Sequence, residues 1–204
     1  MKLLDLFCCA GGASYGYHKA GFEVTGVDLF PQKNYPFKFI QSDAIEYALA
    51  HAHEYDVIAA SPPCQSYTKA RTIMNRVHPD LVAPTREVLV ASGKPYVIEN
   101  VPLAPLIDPI LLCGSMFDLR TYRHRLFESN LDLIPPAHPK HVAKVTKMGR
   151  TPVDGEFMHV VGNFSGVKLA RQAMGIDWMI RNELSEAIPP AYTEYLGKQI
   201  MELI

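Results

Sequence analysis

The chain has 204 residues, 48% hydrophobic and 20% charged, with a net charge of −1. That is enough chain for one domain with a sizeable core, and it is the composition of an ordinary globular protein. It excludes a membrane span, since no apolar run is long enough, and it excludes attraction of a polyanion by bulk charge.

Residues 2–7 read as a first strand, apolar except for Asp5. The opening is too short and too soon charged for a signal peptide. Cys8-Cys9-Ala10-Gly11-Gly12-Ala13-Ser14-Tyr15-Gly16 follows and leads into a helix ending near Gly21. Strand, small-residue turn and helix open a nucleotide-binding unit. Glycine lets the backbone approach a ligand, and a helix N-terminus favours an anion. The turn is not G-x-G-x-x-G and no P-loop lysine follows, so a carboxylate or a ribose is expected there, not a pyrophosphate. Residues 22–28 read as a second strand ending in Asp28, placed to hold ribose hydroxyls. Residues 39–43 read as a short third strand ending in Asp43, ahead of a helix over 44–53. Two strand-end aspartates in one βαβ series fit an adenosine-type ligand.

Residues 55–60 read as a buried fourth strand. Pro62-Pro63 then stops the strand and stiffens the backbone just ahead of Cys64. A free cysteine is most often a small buried hydrophobe. A thiol at the end of a parallel strand, however, sits where open α/β sheets carry their chemistry. Residues 65–81 read as a polar, basic, irregular segment. A helix over 84–92 ends at Gly93. Residues 95–101 read as a further strand, which brings Glu99 and Asn100 to the same sheet edge as Cys64. Residues 110–117 have strand and turn character. Arg123 to Glu128 reads as another strand, with both arginines on one face by the two-residue period. Residues 128–155 are proline-rich and basic, a loop or a small excursion. His138, Lys140 and His141 there hint at a metal, but no partner ligands are evident. Helices over 167–174 and 191–203 finish the chain, the last one introduced by Pro189-Pro190.

The four cysteines (Cys8, Cys9, Cys64, Cys113) form no C-x-x-C pair, so neither a zinc site nor a disulfide framework is indicated, and a cytoplasmic setting is expected. Charge is unevenly spread. Arg120, Arg123, Arg125, Lys140, Lys144, Lys147 and Arg150 crowd one stretch opposed only by Glu128 and Asp132. Lys69, Arg71 and Arg76 follow Cys64 with no acid among them. Such clusters are how a nucleic-acid footprint can sit in a neutral protein; a solvated basic face is the alternative.

Taken together these residues resemble the DNA cytosine-5 methyltransferases along nearly the whole chain. Residues 5–12 look like the family's first motif, which binds S-adenosylmethionine. Pro62-Pro63-Cys64-Gln65 matches its catalytic Pro-Cys-Gln motif, and Glu99-Asn100-Val101 its Glu-Asn-Val motif. Arg123-His124-Arg125 is similar to its Arg-x-Arg motif, and residues 187–190 resemble its last.

The resemblance implies an α/β fold. It would be the Rossmann-like class I methyltransferase architecture, a mixed, mostly parallel sheet with helices on both faces. Residues 1–128 and 164–204 would form the catalytic domain, with a short insert, 129–163, where the family carries its target-recognition region. It implies methylation of cytosine carbon 5 in DNA. Cys64 would be the nucleophile, adding at carbon 6 to turn carbon 5 into an attacking centre. Glu99 would hydrogen-bond the base, Arg123 and Arg125 would hold the base carbonyl, a phosphate or the Cys64 loop, and Asn100 would orient that loop. Phe7, Gly11, Gly12, Asp28, Asp43 and Pro63 would bind S-adenosylmethionine. Gln65, Ser66, Lys69 and Arg71 would meet substrate. The base would be flipped out of a duplex or already unpaired. No metal and no membrane enter this reading.

The chain departs from the family pattern in having Thr121 before Arg-x-Arg, Ser185-Glu186 ahead of the last motif, and Asp28 for the more usual Glu. The short insert offers few side chains for groove readout. This leaves room for a homodimer or a separate recognition subunit. It also leaves room for the same chemistry on a free deoxycytidine nucleotide or RNA, or for a catalytically idle nucleic-acid-binding domain.

Overall fold

The first strand alternates its side chains between two cores, and the rest of the sheet follows that lead. In β1 (Lys2–Leu6), Leu3 packs with one buried cluster and Leu4 and Leu6 with another. A strand buried on both faces is the mark of a parallel sheet covered by helices on either side. The computed structural model describes residues 1–63 and 80–204. In chain order the elements after β1 are α1 (Gly12–Lys19), β2 (Glu23–Asp28), β3 (Lys38–Gln41), α2 (Ala44–His51) and β4 (Val57–Ala60). There follow α3 (Val82–Ser92), β5 (Tyr96–Asn100), β6 (Ile110–Leu112), β7 (Arg125–Ser129), α4 (Val167–Met174), α5 (Arg181–Glu186) and α6 (Pro190–Leu203).

The sheet has seven strands in the order β3-β2-β1-β4-β5-β7-β6. β1 to β5 run parallel, and β7 is antiparallel to both β5 and β6. The expected α/β class, mostly parallel with helices on both faces, is what forms. Strand order reverses between β1 and β4, where open α/β sheets form a crevice at the strands' carboxyl ends. The loops after β1 and β4 therefore open side by side, at Phe7 and at Ser61-Pro62-Pro63.

One face of the sheet is covered by α1 and α6, through Ala13, Tyr17, Tyr192, Leu196 and Ile200. The other is covered by α2 and α3, through Ala44, Ala48 and Leu89. A third cluster joins Met158, Val160 and Phe164 to Ala170, Met174, Ile176, Met179 and Leu184. It reaches the β1–α1 turn, where Trp178 Nε1 donates to the Ala10 carbonyl at 3.0 Å. Met158 and Val160 belong by sequence to residues 129–163, and they pack here against residues 164–184. Between β7 and α4 the described chain holds one isolated bridge, Val145 with Phe157, and no strand or helix.

Two sequence expectations change. The strand expected to begin at Arg123 begins at Arg125. Arg123 has a φ of 31°, in the left-handed region, so the two-residue alternation does not extend to it and the two arginines do not share a strand face. The glycines of the first turn were expected to make room for a ligand, and two of them also make room for other residues. A β-carbon on Gly12 would come within 2.5 Å of the Ile188 carbonyl, and one on Gly16 would collide with Thr193 Oγ1 and the Pro190 carbonyl. These positions let α1 lie directly against the start of α6.

Candidate active site at the strand ends

Asn100 closes β5 and is buried. Its Nδ2 donates to the Pro62 carbonyl at 2.9 Å, and its Oδ1 accepts from Val101 N at 2.9 Å. The amide thus holds the backbone two residues ahead of Cys64. Cys64 itself, with Gln65, Ser66, Lys69 and Arg71, lies outside the described residues.

Glu99 is 8% exposed. Arg125 Nε stands 2.8 Å from its Oε1, and the Ser61 side chain also hydrogen-bonds it. Burial pushes the Glu99 carboxyl above its ordinary range, while Arg125 and then Arg123 pull it down. Burial and the two arginines thus act on this carboxyl in opposite directions, with burial the larger. Ser61 comes from the β4 end, Glu99 from β5 and Arg125 from β7, so three neighbouring strands build this corner.

Arg123 serves a different purpose from Arg125. Its guanidinium donates to three carbonyls, with Nε on Ala187 at 2.7 Å, Nη2 on Ser185 at 2.9 Å, and Nη1 on Val160. Ser185 and Ala187 flank the segment ahead of α6, so Arg123 pins the final motif and the third cluster to the start of β7. The planar fork of five donors suits arginine to this.

At the other side of the crevice the β1–α1 turn is wound tightly. Phe7, Cys9 and Gly11 have φ of 58°, 45° and 83°. Left-handed conformations at non-glycine residues cost of order 1 kcal/mol or more and cluster at ligand sites. Asp28 holds the turn, accepting from Cys9 N through Oδ2 and from Phe30 N through Oδ1, each at 3.0 Å. Among the described residues no side chain caps α1, whose N-terminus favours an anionic group. Asp43 caps α2 with Oδ1, which accepts from Ile45 N and Glu46 N. Leu29 and Phe30 are 56% and 68% exposed immediately after Asp28.

Sequence reasoning missed the inner support of this turn. Asp5 is buried and accepts from Ser14 Oγ, which in turn accepts from Tyr35 Oη at 2.8 Å. Burial raises the Asp5 carboxyl to about 7. An acid in an otherwise apolar strand was the available signal. Ser61 was likewise passed over, because a serine before two prolines looks like turn punctuation. Glu128, read as the end of a strand, is a buried anchor. Arg86 grips it at 2.6 and 2.7 Å, and Ile107 N donates to it at 2.8 Å.

The profile described as C-5 cytosine-specific DNA methylase matches residues 1–103, half of the chain, and takes in the β1–α1 turn, Pro62-Pro63 and the Glu99-Asn100 strand end. The chain belongs to this family. Among curated relatives, the type II methyltransferase M.FnuDI of Fusobacterium nucleatum is 35% identical over 80 residues. That match takes in 36% of this chain and 23% of M.FnuDI, so the chain matches less than a quarter of that relative's length.

Solved structures confirm the fold. An Escherichia coli protein described as a DNA modification methyltransferase encoded within a prophage superposes with a TM-score of 0.70 at 15% identity. That match covers 100% of this chain and 99% of the other. The Dnmt2 methyltransferase of S. pombe gives 0.65 at 13% identity, over 99% and 98%. The methyltransferase EhMeth of Entamoeba histolytica gives 0.64 at 13%, also over 99% and 98%. The family's methyl donor is S-adenosylmethionine.

Proposed function

We propose that this methylase transfers a methyl group to carbon 5 of cytosine in DNA through a covalent adduct between Cys64 and carbon 6 of the ring. The observation that carries the reading is the Asn100–Pro62 hydrogen bond beside the buried Glu99–Arg125 pair. It fixes the root of the Cys64 loop next to a buried acid that burial shifts toward its protonated form.

In this reading the Cys64 thiolate adds to carbon 6, and the ring's electrons move to make carbon 5 nucleophilic. Protonated Glu99 donates to N3 as charge develops there, and its other oxygen accepts from the exocyclic amine. Arg125 orients Glu99 and balances its charge whenever the proton leaves. S-adenosylmethionine, when bound, supplies an electrophilic methyl on a sulfonium. Loss of the carbon 5 proton and expulsion of the Cys64 sulfur then restore the ring and the thiolate.

The donor fits the crevice. The uncapped start of α1 suits its carboxylate, the Asp28 carboxylate suits ribose hydroxyls, and exposed Leu29 and Phe30 offer an apolar face to adenine. Among the described residues Asp43 has Oδ1 engaged and can turn Oδ2 to the ring's amine. Phe7, Gly11, Gly12 and Pro63 line the turns between which the donor would lie. Gln65, Ser66, Lys69 and Arg71 would close on the extruded base, whose phosphates the basic stretch over 120–150 would accompany.

Methyl transfer from labelled donor is measured on duplex DNA, single-stranded DNA, RNA and dCMP, together with trapping on 5-fluorocytosine DNA. Labelled DNA and an adduct that maps to Cys64, both lost in Cys64→Ser while donor affinity remains, are expected. Label on dCMP or RNA alone would move the chemistry to that substrate. No adduct on any fluorinated cytosine would leave a binding domain without catalysis.

A further inference from the structure

The insert that replaces a recognition region has little to hold it. Among the described residues between β7 and α4, Leu133, Thr146, Met158, Val160 and Phe164 are buried, and there is no regular element. A segment with so little core needs a covalent or metal staple. The fold supplies the components of one. Cys113 follows β6, His124 precedes β7, and His138 and His141 come from the segment beyond β7. One ligand atom from each of the four lies within 4.8 Å of every other. Sequence spacing showed two of these histidines without partners, and the antiparallel edge of the sheet brings in the other two.

We infer that Cys113, His124, His138 and His141 form a structural zinc site that clamps the insert to the sheet edge. The donor set is one thiolate and three imidazoles, a combination suited to zinc and unsuited to calcium or magnesium. Cys113 Sγ already lies 3.3 Å from His141 Nε2. Ligand atoms on a shared tetrahedral zinc stand about 3.3–3.6 Å apart, given metal bonds of about 2.0–2.3 Å. The remaining contraction falls on His138 and His141, which are exposed loop residues.

The three rings lie together, His138 and His124 stacked and His141 tilted to both. His138 is 4.9 Å from His141 and 5.7 Å from His124, and His141 is 5.0 Å from His124, between ring centroids. Outside them, Tyr122 stacks on His141 at 3.6 Å, and its hydroxyl is fixed by the backbone of Ala143. Outer contacts of this kind orient metal ligands. Four protein ligands make a closed site, so its function is to hold structure. Binding takes the proton from Cys113 Sγ, which passes to buffer, and needs the three imidazoles neutral.

The test is metal content and binding, independent of methyl transfer. Protein purified without chelator is analysed for metals, then stripped and titrated with zinc and with cobalt. Retention of about one zinc per chain is expected, together with a cobalt form showing a thiolate-to-metal charge-transfer band. Zinc should raise the thermal midpoint by on the order of 10 °C at a thousandfold excess over its dissociation constant. Cys113→Ser should abolish the charge-transfer band. His138→Ala, at an exposed position that folding does not need, should weaken zinc by at least about 100-fold and cancel the thermal gain. The inference is overturned if stripped protein takes up no zinc or cobalt. It is equally overturned if bound cobalt lacks the thiolate band, or if His138→Ala binds zinc as tightly as the parent.

Discussion

Replacing Asp5 by Asn should stabilise this protein, and by more as the pH rises. Asp5 is 1% exposed, and its carboxyl is lifted from 3.8 to about 7, first by burial, with Asp28 and Glu99 adding to the rise and Ser14 opposing it. The native state therefore holds a proton that the unfolded chain releases at lower pH. Between these two values the native chain binds more protons than the unfolded one, so stability falls as pH climbs through that window and levels off above it. At about 1.4 kcal/mol per pH unit, the gap caps the loss at about 4 kcal/mol. About 3 kcal/mol of that falls between pH 5 and pH 8. Asn keeps an oxygen for Ser14 and cannot ionise. Urea unfolding of both proteins at the two pH values measures the difference, and Asp5→Asn should gain about 3 kcal/mol on the parent from the lower to the higher. If the variant's advantage stays flat or shrinks over that range, Asp5 is ionised in the folded chain and the reasoning fails.

Gly16→Ala should lose about 1–3 kcal/mol in a thermal melt despite alanine's better helix propensity, because the new methyl meets Thr193 and Pro190; an unchanged midpoint would mean that α1 and α6 separate easily. Glu99→Gln should slow methyl transfer by roughly 10²–10³-fold with the fold intact, since it removes the group that stabilises charge on the ring; near-normal turnover would remove Glu99 from the chemistry. Arg123→Ala strands the carbonyls of Val160, Ser185 and Ala187. It should cost about 3 kcal/mol or more, with limited proteolysis cutting first near residues 160–187. Equal protease resistance would show that the staple is redundant.

The parallel sheet could be read from the sequence because its signals are local. Apolar runs end at Asp28, at Pro62-Pro63 and at Glu99-Asn100, and each of those ends lies where the run placed it. What could not be read depends on contacts between distant parts of the chain. A two-residue period put Arg123 and Arg125 on one face, and nothing nearby announces the left-handed turn that sends Arg123 to carbonyls more than thirty-five residues away. That Gly12 and Gly16 also let α6 approach shows only once the two helices are laid together. His138 and His141 lack partners in the linear chain because Cys113 and His124 reach them across two strands. α5 escaped notice because six residues give too short a pattern to stand out from a loop.

The close fit of α1 against α6 has a consequence for how the protein is made. The turn proposed to hold the donor is translated long before the surface that seats it. Until Tyr192, Leu196 and Ile200 leave the ribosome, Ala13 and Tyr17 lack that part of their cover. A newborn chain thus carries a greasy, unfinished α1 face until α6 has been made, and termination before Pro190 leaves a chain that chaperones and proteases meet before any donor does.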